Sequence, residues 1–230
     1  MSTIVHLDLL SVGLSIAAIG ILGFILFFAK PKSATSRAFL FFSLVTIFYG
    51  SVNYISYQVA NPILTLWFLR LVIFSAVLHA FSFYQLFLVF PNDHAKFSHT
   101  YKFFIVPLVA ITAILTLTPI VFTDISGGTI AGSVAQVSKG PGIVLFLFTV
   151  AALIIIGVGT LVKKFRHAKD LERIGLRSML IGVFLTFSLI ATFNFILPII
   201  FKRVEFVPLS CELRNSLFPH NSGKLNRRPQ

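Results

Sequence analysis

A chain of 230 residues that is 57% hydrophobic and 11% charged, with 27 Phe and a mean hydropathy of +0.93, is more apolar than a water-soluble core of this size requires, and reads as an integral membrane protein. The formal charge of +12 raises nucleic acid as a partner, but the Lys and Arg stand between apolar runs and are not interleaved with aromatics on one surface, which excludes it. The single cysteine, Cys211, excludes an internal disulfide and a cysteine-based metal site.

Six apolar runs are long enough to cross the ~30 Å hydrocarbon core as helices, at about 7–29, 38–60, 63–90, 103–122, 142–162 and 176–201. The predicted fold is an all-α integral membrane helical bundle of six transmembrane helices over residues 1–209, followed by a polar, basic tail over 210–230. The first run is read as a retained helix: its flank MSTIVHLD lacks a basic region, and its apolar stretch exceeds that of a signal peptide. On it Gly13, Ala17 and Gly20 form a small-residue face that lets helices approach closely. That face is read as packing, with homodimer formation as the second reading.

On the second run Thr46, Gly50, Asn53 and Tyr57 follow helical spacing, with Gln58 beside them. The third is richer. Ser75, His79 and Ser82 stand at i, i+4 and i+7, with His79 near the middle of the span. Ionisable groups inside a bilayer are costly and are functional candidates by default. The stripe suits a ligand cavity or a proton-sensitive switch, because histidine titrates near physiological pH; the plainer reading is a neutral His hydrogen-bonded across helices as packing glue. Facing stripes on runs two and three predict an outward-opening pocket between them, or equally a close-packed seam. Arg70, two turns inside the third run and next to Trp67, is read first as an interfacial anchor whose stem snorkels. Its sharper reading is a contact for an anionic ligand from outside.

The connector FTDISGGTIAGSVAQVSKGPG (122–142) alternates short apolar positions among Gly and Ser, predicting a small hairpin that caps the pocket, or else a plain loop. The stretch 163–180 extends helices five and six beyond the membrane and carries six bases.

Lys and Arg favour cytoplasmic loops. The first loop carries Lys30, Lys32 and Arg37, the third Lys96 and Lys102, and the fifth Lys163, Lys164, Arg166, Lys169, Arg173 and Arg177; the second has none and the fourth only Lys139. Odd loops are therefore placed in the cytoplasm and the N-terminus outside, in a multi-pass protein of the plasma membrane. The tail, with Lys202, Arg203, Arg214, Lys224, Arg227 and Arg228, breaks the rule, and one more helix after Pro208 would restore it.

The stretch AKPKSATSRAFLFFSL (29–44) resembles the first loop and second helix of the seven-helix membrane sensor region at the N-terminus of many bacterial histidine kinases and diguanylate cyclases. Pro31, Ser33, Arg37 and Phe39 match that family's pattern, while Lys30 and Ser36 replace its two asparagines. WFLRLVIFSAVLHAFSFYQLFLVFP (67–91), with Arg70, His79, Phe90 and Pro91, looks like the family's Arg-bearing helix that closes on a Phe-Pro pair. KGPGIVLFLF (139–148), then Arg173, Arg177 and Gly182, and finally FVPL (206–209) follow in the family's order. The resemblance covers about 7–209.

The resemblance implies a membrane sensory input module of two-component signalling, which takes a small ligand or a membrane signal and passes a helix movement to a cytoplasmic output domain. The ligand-binding candidates are Ser75, His79, Ser82, Asn53, Tyr57 and Arg70. The family's apolar seventh helix does not follow residue 209, so the expectation is a chain cut before its output, non-signalling alone, with an unstructured, frameshifted or foreign tail from Ser210. Catalysis is not expected: no phospho-accepting His pattern, no Gly-rich phosphate loop before a helix and no Gly-Gly-Asp/Glu-Glu-Phe signature is present. No cofactor or metal is expected, and retinal is excluded because every Lys lies in a loop, at a helix end or in the tail. The competing class is a small multi-pass transporter or permease. Transporters show inverted repeats, broken spans or buried acidic coupling groups; Asp and Glu are absent from all six span interiors, which favours the sensor.

Overall fold

The structure, a computed structural model, describes residues 2–91, 97–125 and 137–191. It divides into two units, Met1–Ser178 and Met179–Gln230. The first holds almost everything described; of the second, the helical stretch up to Ala191 is described. The end of the sixth expected span, Cys211, the tail and the Gly-rich tip of the fourth loop lie outside the described residues.

Helix α1 (Ser2–Ala29) leads through a tight turn into α2 (Ala34–Gln58). There the Arg37 Nε donates to the Pro31 carbonyl at 2.9 Å, so two residues of the first-loop pattern hold each other. Helix α3 (Pro62–Val89) starts where Asn61 caps it, its Oδ1 accepting from the Ile63 and Leu64 amides, with Pro62 in the first turn where a missing N–H costs nothing.

Two opposite faces of α3 are buried. One carries Ser75 and Ser82, both fully buried, next to His79; their small side chains let α2 lie close, and α2–α3 is the most extensive helix pair. The other carries Val77, Ala80 and Tyr84, which pack with Tyr101, Val109, Ala113 and Leu153. Lipid is as apolar as these side chains, so close packing and interhelical hydrogen bonds hold the bundle rather than expulsion of water. One such bond joins Thr112 and Thr149 at 3.0 Å. Close approach between α1 and α2 falls at Gly20 and Gly23, not at Gly13: a Cβ on Gly23 would lie 2.6 Å from the Ser43 Oγ, whereas one on Gly13 would meet nothing within 4 Å.

The fourth run differs most from its expected 103–122. It opens with a π-helical turn (Tyr101–Ile105), continues as α4 (Val106–Thr116), and stops. Pro107 cannot donate to the carbonyl four residues back, so the ladder slips and the Val106 amide reaches Tyr101 instead. The apolar residues beyond Thr116 turn through Pro119 and become strand β1 (Phe122–Ile125), which pairs antiparallel with β2 (Val137–Lys139). The expected hairpin is present. Phe122 faces Lys139 in register, and Gly140 closes the turn into α5 by donating to the Val121 carbonyl at 2.8 Å. A Cβ on Gly140 would run into the Ile120 carbonyl.

Helix α5 (Gly142–His167) and α6 (Asp170–Ala191) run on past the apolar stretches as expected. Lys164, Arg166 and His167 in the last turn of α5 suit the negative end of its dipole. Apart from the hairpin, the described elements are helical. Four helices, α1, α2, α3 and α5, are long and apolar enough to cross a membrane, and Tyr101–Thr116 is a shorter apolar one. Large apolar side chains such as Leu14, Phe28, Phe104 and Ile155 are exposed, as lipid-facing residues are.

Candidate functional site

His79 is gripped by three residues of α2. Its Nε2 lies 3.1 Å from the Thr46 Oγ1, which also lies 2.7 Å from the Phe42 carbonyl. The hydroxyl has one proton, and with that given to Phe42 the oxygen accepts from His79; this assigns the ring proton of the neutral imidazole to Nε2. Phe42 stacks on the imidazole at 5.3 Å and Tyr49 at 5.5 Å. Two helical turns separate Phe42 from Tyr49, about 10.5 Å, which is room for one ring between them.

Thr46 and Tyr49 also line a cleft of about 420 Å³ between α1 and α2. Val12, Ser15, Ile16 and Ile19 face Thr46, Tyr49 and Gly50 across it. The volume suits a small, mostly apolar molecule. The sequence predicts a pocket between α2 and α3 or equally a close-packed seam there; the described cleft lies between α1 and α2.

The remaining candidates are spread out. Ser75 and Ser82 share a face with His79 but donate within their own helix, to the Val72 and His79 carbonyls at 2.8 Å each. Asn53 is half-buried and Tyr57 exposed, and neither lines the cleft. Arg70 stands apart at the N-terminal end of α3. It does not run out to an interface: it is 6% exposed, its Nη2 donates to the Phe122 carbonyl of β1 at 2.7 Å, and its guanidinium sits 5.3 Å from the Trp67 ring. Its Nε is buried without a hydrogen-bond partner among the described residues.

Phe42, Tyr49 and Lys164 were not anticipated. Lys164 donates to the carbonyls of Phe87, Leu88 and Phe90 at 3.2, 2.7 and 2.6 Å, closing the end of α3 that has no further helix to bond. Its place was legible in the phase of α5, where Thr149, Leu153, Gly157 and Leu161 form the buried face and Lys164 continues it. A line of ring contacts joins the two grips: Phe42 to Phe83 at 5.5 Å, Phe83 to Phe87 at 4.3 Å, and the Phe87 carbonyl to Lys164. Among the described residues no three His, Cys, Asp or Glu side chains are placed to hold a metal.

Long apolar helices pinned by interhelical polar contacts, with lipid-facing side chains around them, define a helical membrane region. The family model of the N-terminal 7TM region of histidine kinase matches residues 12–218, and the chain belongs to that family. The match runs past residue 209, where the resemblance was expected to stop. No curated protein and no solved structure matches the chain.

Proposed function

We propose that the bundle is the sensory input of a histidine-kinase-type signalling protein in the plasma membrane, crossing six times from an N-terminus outside, and that a seventh crossing, as in the 7TM region of its family, connects it to a cytoplasmic output domain that holds catalysis. The ligand or membrane signal acts at the α1–α2 cleft and reaches His79 through Thr46 and Tyr49. Ser75 and Ser82 keep the α2–α3 seam narrow, while Asn53 and Tyr57 stand nearer the outer end of α2. The observation that carries this proposal is the unbroken series of contacts from the cleft wall through His79, Phe42, Phe83 and Phe87 to Lys164. Tightly packed groups of this kind shift together, so a displaced His79 moves the far end of α3 against α5.

The test is a histidine kinase carrying this bundle, joined through a seventh transmembrane helix, as its membrane region, reconstituted in liposomes. Autophosphorylation is expected to change with external pH, and His79→Leu is expected to abolish that change while leaving expression intact. An unchanged response in His79→Leu returns the residue to packing. Solute uptake by the bundle with no kinase response to pH contradicts the sensory function in favour of a transporter.

A further inference from the structure

We propose that Arg70 is the cationic floor of an anion site at the hairpin end of the bundle, taking a carboxylate or phosphate group. A guanidinium keeps its charge wherever it is placed and carries five donors arranged to match planar or tetrahedral oxyanions. Burying such a charge is costly unless an opposite charge and hydrogen bonds accompany it. Arg70 is buried to 6% exposure, yet the described residues give it one hydrogen bond, to the Phe122 carbonyl, and a Trp67 ring. Buried donors without partners are rare in folded proteins, and the Arg70 Nε is one.

Among the described residues no carboxylate answers it. The chain has seven Asp and Glu, and the stretch from α4 to α5 contains Asp124 alone. Asp124 is exposed, its Oδ1 accepts from the Ile125 amide, and it makes no ion pair with Arg70. A second cation instead comes to the same strand: Lys139 is the register partner of Phe122, whose carbonyl Arg70 holds. Nε and Nη2 each carry their own protons, so an oxyanion on Nε leaves the clasp to β1 in place. The chemistry is shared by a soluble anion and by a lipid phosphate headgroup. The site stands whether or not the bundle feeds a kinase.

Trp67 is the single tryptophan of the chain and lies against Arg70, so its emission reports this site without a label. The 230-residue chain, in nanodiscs of phosphatidylcholine, is titrated with inorganic phosphate at constant ionic strength. A saturable change in Trp67 emission is expected, lost in Arg70→Gln and shifted to at least about fivefold higher phosphate in Arg70→Lys, which keeps the charge but not the fork. In phosphatidylglycerol nanodiscs, emission already at its saturated value, with no further effect of phosphate, assigns the site to the headgroup. No response to either phosphate or phosphatidylglycerol overturns the proposal, as does a response that Arg70→Gln retains. If Arg70→Gln does not fold, Arg70→Lys decides: undiminished phosphate affinity in it overturns the role of Nε.

Discussion

Thr46 does more for His79 than either serine of its own helix, because its hydroxyl reaches across to Nε2 while Ser75 and Ser82 spend theirs on carbonyls within α3. Interhelical hydrogen bonds in membranes contribute about 0.6 kcal/mol on average and up to about 1.7. Thr46→Val, which keeps the shape and removes the acceptor, is expected to destabilise the bundle by about 1 kcal/mol in a detergent-unfolding titration. Ser75→Ala is expected to cost less, about 0.5 kcal/mol, since its loss breaks no contact between helices. Equal costs would place the two hydroxyls in the same class. The i, i+4, i+7 spacing made the histidine stripe readable, because a polar residue is conspicuous in an apolar run. Phe42 and Tyr49 were not readable in the same way: among 27 Phe and 5 Tyr, the two rings that stack on His79 look like those that touch lipid. Arg70 was visible, but its burial was not, since an arginine near a helix end snorkels unless another element folds over it, and that element is a strand 52 positions later in sequence.

Helix positions were legible because hydropathy over some 20 residues is a strong signal; their ends were set by residues that hydropathy does not weigh. Pro107 and Pro119 shorten the fourth run, and the apolar Val121 and Phe122 belong to a turn and a strand, which a short apolar run cannot be distinguished from. Small-residue faces show the same limit. Gly13, Ala17 and Gly20 are evenly spaced, yet Gly23 makes the tightest approach, since packing depends on what stands opposite, and that is Ser43. Gly23→Ala is expected to destabilise by about 1–3 kcal/mol through overpacking, and Ser43→Gly in the same chain to recover most of it. Gly13→Ala is expected to stay within about 0.5 kcal/mol of the parent. Unfolding titrations of the four chains check this; a Gly23→Ala cost that Ser43→Gly does not relieve would mean that the α1–α2 approach lies elsewhere.

At the scale of the whole molecule the bundle has two unlike ends. One carries the β1–β2 hairpin over Arg70; the other carries the basic turns of α5 and α6 and the Lys164 clasp on α3. A sensor needs the first outside and the second facing the cytoplasm, and the Lys and Arg asymmetry between loops predicts that arrangement. The reverse orientation would leave the ring contacts from His79 pointing away from any kinase. The direct measurement is insertion of a reporter active only in the cytoplasm after Lys169, in the α5–α6 turn, and separately after Gly128, in the hairpin connector. Signal after Lys169 and none after Gly128 is the expected result; signal after Gly128 with none after Lys169 would contradict the orientation and, with it, the sensory role.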